Sequence, residues 1–309
     1  MNSLKSLFVL IVLCTGLVNA QIPEGKKVIS SLYVYDLASR TSQLVLREHR
    51  HFEAPNWTLD GQYFLINSNG TLEKISIDGS QKEMLPTASV NRANNDHGFS
   101  FDGTTLFISS ADPSIKEHTS FIYQVNAQGG IPKLITPKTP SYWHGVSPNG
   151  KEIVYCAERN GNFDVYKMNL RKGKEIRLTT AEGLDDGPEY APDGSYIYIN
   201  SFRTGSMQVW RMKPDGSRAE QMTFDSYSNW FPHINPDGTT AVIISYVEDQ
   251  GQSHPFGRMV KLRLLDLKTK KLQDLTPAFY GGQGTINVNS WNPTGTKFAY
   301  VRYELEAIN

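Results

Sequence analysis

Cysteine is almost missing. The chain has two, Cys14 and Cys156. Only Cys156 lies beyond an N-terminal segment that reads as a removable leader, so no intrachain disulfide can hold the mature protein. A surplus of one charge sign is missing too. Lys+Arg and Asp+Glu are both 31, which removes the net field that nucleic acid or an anionic lipid surface requires. After Ala20 no apolar run is long enough to cross a membrane as a helix. There is no low-complexity tract and no G-x-S-x-G nucleophile elbow. Gly145-Val-Ser-Pro-Asn-Gly150 comes nearest, but its second glycine is one residue late and its serine sits in a hairpin.

Met1 to Ala20 has Lys5 near its start, an apolar run from Leu7 to Leu17, and the small-residue pattern Val18-Asn19-Ala20. This reads as a secretory signal peptide cleaved after Ala20, with Gln21 as the new terminus and a periplasmic or secreted location. Leu13 before Cys14 is too large for a lipoprotein site. Residues 21–309 are then expected to form a single domain and a monomer.

What is present is a repeat. Tyr142-Trp-His-Gly-Val-Ser-Pro-Asn-Gly-Lys-Glu-Ile-Val-Tyr-Cys156 reads as strand, turn and strand: Pro148 fixes φ, Asn149 and Gly150 tolerate positive φ, and the next stretch is β-branched and aromatic. The pattern returns with the residue before the turn glycine at Asp60, Asp102, Asn149, Asp193, Asp237 and Thr294, which stand 42, 47, 44, 44 and 57 residues apart. Such periods belong to propellers and arrays. Between markers lies a second strand pair, as in Val209-Trp-Arg-Met-Lys-Pro-Asp-Gly216 leading to Gln221-Met-Thr223. Each repeat therefore holds four strands, the content of one blade. The sixth copy has its inner pair only. Leu32-Tyr-Val-Tyr-Asp-Leu37 and Gln43-Leu-Val-Leu46 match the missing outer pair. The expected fold is an all-β, six-bladed β-propeller of four-stranded blades, closed by N-terminal strands that complete the last blade and cover two sheet edges.

The repeated x-P-D-G-x turn with its following aromatic strand resembles the TolB-like, or WD40-like, β-propeller repeat over nearly all of Lys27 to Tyr303. Glu158-Arg-Asn-Gly-Asn-Phe163, Leu184-Asp-Asp-Gly-Pro188, Asn229-Trp-Phe-Pro-His233 and Gly281-Gly-Gln-Gly-Thr-Ile-Asn287 resemble exported bacterial members of that family. A full TolB carries an α/β domain ahead of the propeller and works with the Tol-Pal envelope system. Here about ten residues separate Ala20 from the first strand.

In a propeller, the loops leading into the innermost strands and those joining the second and third strands open on one face, around the channel. They carry His49, His51, Glu53, Asp96, Glu117, His118, Glu158, His254 and Arg258, among others. The expected ligand-binding residues are Trp143, His144, Arg159, Asp185, Asp186, Arg203, Trp230, His233 and Asn287. Trp143 and Trp230 serve as stacking platforms. Asp185-Asp186 before Gly187-Pro188 also suits plain turn capping, and the histidines at the strand starts also suit bonding to a neighbouring blade. Two functions follow. One is a binding module for a glycan, a peptide or an envelope protein. The other is an enzyme similar to propeller oligogalacturonate lyases, with His97, His144, His233 and Glu189 holding one divalent cation, Mn²⁺ or Ca²⁺, and Arg159 or Arg203 holding the uronate carboxylate.

Overall fold

The computed structural model describes residues 22–308 apart from residue 113 and residues 116–118. The leader expected at Met1 to Ala20, and Glu117 and His118, lie outside the described residues.

The hairpin turn is one conformation repeated six times. Gly61, Gly103, Gly150, Gly194, Gly238 and Gly295 have φ between 67° and 72°, a region in which a Cβ is penalised and glycine is not. In the first five turns the residue before the glycine accepts, through Oδ1, the N–H two positions on: Gln62 to Asp60 at 3.0 Å, Thr104 to Asp102 at 3.0 Å, Lys151 to Asn149 at 3.0 Å, Ser195 to Asp193 at 2.9 Å and Thr239 to Asp237 at 2.8 Å. This is why Asp or Asn recurs there. The side chain takes a donor that the reversing backbone leaves unpaired.

Two strands come first, β1 (Lys26–Asp36) and β2 (Thr41–Glu48). Blade 1 follows as β3 (Glu53–Trp57), β4 (Tyr63–Ser68), β5 (Thr71–Ser76) and β6 (Lys82–Met84). Blade 2 is β7 (Ala93–Phe99), β8 (Thr105–Ser110), β9 (Phe121–Asn126) and β10 (Lys133–Leu134). Blade 3 is β11 (Ser141–Val146), β12 (Glu152–Arg159), β13 (Asn162–Asn169) and β14 (Glu175–Arg177). Blade 4 is β15 (Asp185–Tyr190), β16 (Ile197–Ser201), β17 (Gln208–Met212) and β18 (Glu220–Gln221). Blade 5 is β19 (Ser228–Ile234), β20 (Thr240–Tyr246), β21 (Arg258–Asp266) and β22 (Leu272–Asp274), with β23 (Phe279–Gly281) added on β21.

The last strand, β24 (Lys297–Ala307), pairs antiparallel with β1 from Lys26 opposite Ala307 to Asp36 opposite Lys297 without a register shift. With β2 on the far side of β1, the N-terminal strands complete blade 6 and close the ring. The innermost position of this blade is filled by an irregular segment, residues 285–291. It is tied to β24 by the Trp291–Phe298 bridge, by Ala299 N–H donating to Ser290 O at 3.0 Å, and by Val301 N–H donating to Thr285 O at 2.9 Å.

The core lies between blades. Trp57, Phe99, Tyr190 and Trp291 occupy one repeat position and pack in interblade apolar clusters. Trp143 is buried, with its ring stacked on Phe107 of blade 2 at 5.6 Å between centroids. Gly98 leaves room for it: a Cβ there would stand 2.5 Å from the indole. Trp230 is fully buried against Phe231 and His254. The stacking platforms expected from sequence are therefore core, because both rings are spent in filling the gaps between blades.

Candidate functional site: the carboxylate-lined channel mouth

Each regular inner strand breaks its pairing near its start. The breaks lie between Glu53 and Asn56, Ala93 and His97, Trp143 and Gly145, Asp186 and Glu189, and Trp230 and His233. Three of them are X-Pro steps with positive φ on the first residue: Ala54 at 53°, Gly187 at 59° and Phe231 at 50°. Proline gives no N–H to the ladder, and a bulge re-aims the side chains beside it. The residue after each proline reaches another blade. Asn56 donates through Nδ2 to Asn289 O. Glu189 Oε2 pairs with His233 Nδ1 at 2.8 Å, and its Oε1 accepts from Ile234 N–H at 2.8 Å and from Asn289 Nδ2 at 2.7 Å. His233 Nε2 meets Ile286 O at 2.8 Å.

A second group sits beside this one. His144 Nε2 is 3.0 Å from Asp186 Oδ1, His254 Nε2 is 3.6 Å from Asp186 Oδ2, and Gly187 N–H donates to Asp186 Oδ1 at 2.7 Å. Asn287 Nδ2 donates to Asp96 Oδ1 at 2.6 Å and to Asn95 O at 3.2 Å. The Phe231 ring stacks on both His144 and His233, at 6.2 and 6.5 Å between centroids. Contacts that join blade 2 to blade 6 and blade 3 to blade 5 have to pass through the middle of the ring, so these side chains line the channel.

The electrostatics are uneven. Burial pushes Glu53 up to about 8 against a weak bond from Asn95, and the neighbouring Asp96 carboxylate adds to the rise. Burial also raises Asp96, with Asp186 adding and His144 opposing. For His144 burial works toward the neutral form, but the Asp186 and Asp96 carboxylates outweigh it and its pKa is raised. Asp186 is held well below the usual carboxylate range, since the charge and hydrogen bond of His144, with His254, overcome its burial. Carboxyl groups driven in opposite directions inside one concavity are a mark of functional sites.

The proposed cation ligands do not converge. His97 lies wholly buried beside the backbone of Ala54 and Leu65, with no well-formed hydrogen bond on either nitrogen, and burial lowers it to about 4. His144 faces Asp186. Both nitrogens of His233 are occupied, Nδ1 by Glu189 and Nε2 by Ile286 O, so neither is open to a metal in this arrangement. Among the described residues no group of three His, Cys, Asp or Glu side chains is disposed to hold a metal.

Both proposed guanidinium groups are engaged. Arg159 donates to Glu175 at 2.9 and 3.2 Å, to Pro140 O at 2.8 Å and to Ser141 Oγ at 2.9 Å, within its own blade. Arg203 pairs with both oxygens of Asp185, at 3.1 and 3.2 Å, and lies over Trp210. The structure thus gathers His144, Asp186, His233, Glu189 and Asn287 at the axis, and turns Trp143, Trp230, His97 and Arg159 away. Glu53, Asp96 and His254, expected on the mouth loops though not among the ligand-binding residues, join the group at the axis. His254 comes from the long stretch between β20 and β21, which also takes Leu184 N–H onto Gln252 Oε1 at 2.7 Å. Gly281-Gly-Gln-Gly284 is set by close packing: Ala54 N–H donates to Gly284 O, and a Cβ at Gly284 would meet Glu53 Oε2.

Fold and mouth together define a closed six-bladed β-propeller whose channel is filled by paired carboxylates and imidazoles. The TolB β-propeller domain model matches residues 139–307. An uncharacterized protein of Agrobacterium fabrum is 43% identical over 280 residues, covering 90% of this chain and 94% of its own length. A solved Agrobacterium tumefaciens structure named provisionally as TolB is also 43% identical, with TM-score 0.84, covering 90% of this chain and 99% of that one. The chain belongs to the TolB β-propeller family. The Tol-Pal system protein TolB of Francisella tularensis is more distant, 24% identical over 174 residues, 52% of this chain and 38% of that protein.

Proposed function

We propose that the chain is an exported binding module whose channel mouth takes a positively charged group, a lysine or arginine side chain or an amino terminus, carried by a peptide segment of an envelope protein. The observation that carries this reading is the set of four carboxyl groups, Glu53, Asp96, Asp186 and Glu189, on the inner strands of blades 1, 2 and 4, paired with Asn67, Asn287, His144 and His233 respectively. Arg159 and Arg203, the guanidinium groups expected at the mouth, are tied to Glu175 and Asp185. An arriving cation would offset the burial that raises Glu53 and Asp96, together with the carboxylate charge of Asp96 on the first and of Asp186 on the second. His254 is the most accessible of the paired groups, its side chain 21% exposed against 9% for Asp186. The ligand is expected to displace it.

Export rests on the Met1 to Ala20 leader. No helix among the described residues is long and apolar enough to cross a membrane. The name of the Francisella tularensis relative supports an envelope partner. The uronate-lyase reading draws no support from the site, since it needs a converged metal set and a free cationic residue for the substrate acid. A glycan reading loses its stacking faces with Trp143 and Trp230.

A thermal-shift comparison tests the proposal, because a ligand of the native state alone raises the melting temperature. A lysine-rich hexapeptide should raise it and an aspartate-rich one should not. A rise with oligogalacturonate and Mn²⁺, accompanied by an unsaturated uronate product, would overturn the reading in favour of the enzyme.

A further inference from the structure

The inner strands run from the mouth to the hairpin turns at the other end of the channel, and there two adjacent blades differ from the rest. The residue two places before the turn glycine is Pro148, Pro192, Pro236 and Pro293 in blades 3 to 6, where a fixed φ suits the turn. In blades 1 and 2 it is Leu59 and Phe101, with 52% and 42% of their surface exposed. The two turns touch: a Cβ on Gly103 would stand 3.0 Å from the Leu59 side chain. Ile77, 44% exposed, stands in the outer turn of blade 1, which is tied to the Asp60-Gly61 turn by Ile77 N–H donating to Gln62 O at 3.1 Å. Neither turn needs these residues, since proline serves in the other four.

Acidic groups frame the apolar ones. Asp60, Asp78 and Asp102 each spend Oδ1 within their own turn, on Thr58 and Gln62, on Ser76 and Ser80, and on Ser100 and Thr104. Their Oδ2 atoms take no hydrogen bond among the described residues. The hydroxyl and N–H bonds hold all three carboxylates below their ordinary range, Asp78 at about 2, so they stay charged. Lys74, whose charge acts on Asp60, donates to Gln128.

We propose that the turn face of blades 1 and 2 is a second docking surface, for a protein segment that presents apolar side chains flanked by lysine or arginine. Contiguous exposed apolar groups mark contact surfaces, and three fixed carboxylates select a basic partner while repelling an anionic membrane. This surface is separate from the mouth and does not depend on what the mouth binds.

The test uses the whole secreted chain and a labelled Lys/Leu amphipathic helical peptide of about four turns, with its Glu/Leu counterpart and phosphatidylglycerol vesicles as alternatives. Leu59→Pro/Phe101→Pro copies blades 3 to 6, and Asp60→Asn/Asp102→Asn copies Asn149, so both double variants keep the turn. Each is expected to weaken Lys/Leu binding by about tenfold or more, the asparagine pair also flattening its salt dependence. Binding is read with the mouth occupied by an excess of the lysine-rich hexapeptide, and Asp193→Asn, the same change at the turn of blade 4, should leave it unchanged. Peptide affinity untouched by both turn variants, equal binding of the Glu/Leu peptide, or binding of vesicles instead would overturn the proposal.

Discussion

Asn287 Nδ2 lies 2.6 Å from Asp96 Oδ1, and the bond spans from blade 6 to blade 2 past the whole of blade 1. Both residues are buried, Asn287 at 1% exposure and Asp96 at 5%. Such a bond forms only if the ring is closed, since Asn287 precedes β24 and Asp96 opens blade 2. It holds an ionisable oxygen at the axis, where a lost partner cannot be replaced cheaply by water.

Replacing that amide should therefore be felt throughout the fold. Asn287→Ala is expected to cost about 1–3 kcal/mol, read from the urea midpoint. Asn287→Asp, which sets a like charge against Asp96, should cost more. An unchanged midpoint for both would mean that the bond contributes nothing.

The pH profile of stability follows from the direction of each shift. Glu53 is raised to about 8, so the stability tied to its protonated form is complete below the ordinary carboxylate range and is lost as pH rises through about 8. One proton corresponds to a slope of at most about 1.4 kcal/mol per pH unit. Glu53→Gln should flatten that limb in urea titrations between about pH 5 and 9. His51 and His97, both lowered to about 4 by burial, act on the other limb. Their contribution is complete above about 6.5, the ordinary imidazole value, and is lost as pH falls toward 4. A Glu53→Gln variant with the alkaline slope of the wild type would contradict the assignment.

Closure can be weakened from the N-terminal side. Leu32 of β1 is fully buried and shares a cluster with Ala299, Val301 and Tyr303 of β24 and with Phe64 of blade 1. Leu32→Ala should cost about 2–5 kcal/mol. The loss should show equally in circular dichroism and tryptophan fluorescence, because blades 6 and 1 fail together. Separate transitions by the two probes would argue for an open array.

The seat of Trp143 gives a paired test. Gly98→Ala drives a methyl to 2.5 Å from the indole and should destabilise by about 1–3 kcal/mol. Trp143→Phe in the same chain should recover part of that loss. Additive costs would place the indole away from Gly98.

The ring was readable from sequence because its signals are local and repeated. The Asp-Gly turns, the 42- to 47-residue spacings of the first five markers, and the orphan pair Leu32 to Leu46 each report a short stretch of backbone. The mouth was half readable. His144, Asp186, His233 and Glu189 were expected at the axis, yet the partners chosen there depend on bulges at Ala54-Pro55, Gly187-Pro188 and Phe231-Pro232, which shift a side chain from one wall to another. Those X-Pro steps at strand starts were the available signal. Trp143 and Trp230 were misread for the same reason: a tryptophan beside a bulge faces the neighbouring blade. His254 had no periodic marker at all, because the stretch between β20 and β21 is longer than its equivalents.

The most direct measurement is calorimetric titration of the lysine-rich hexapeptide into the wild type and into Asp186→Asn, with thermal melts confirming that both are folded. The account predicts binding by the wild type that weakens with salt and falls by about tenfold or more when the carboxylate becomes an amide. Equal affinity in the two proteins would contradict it.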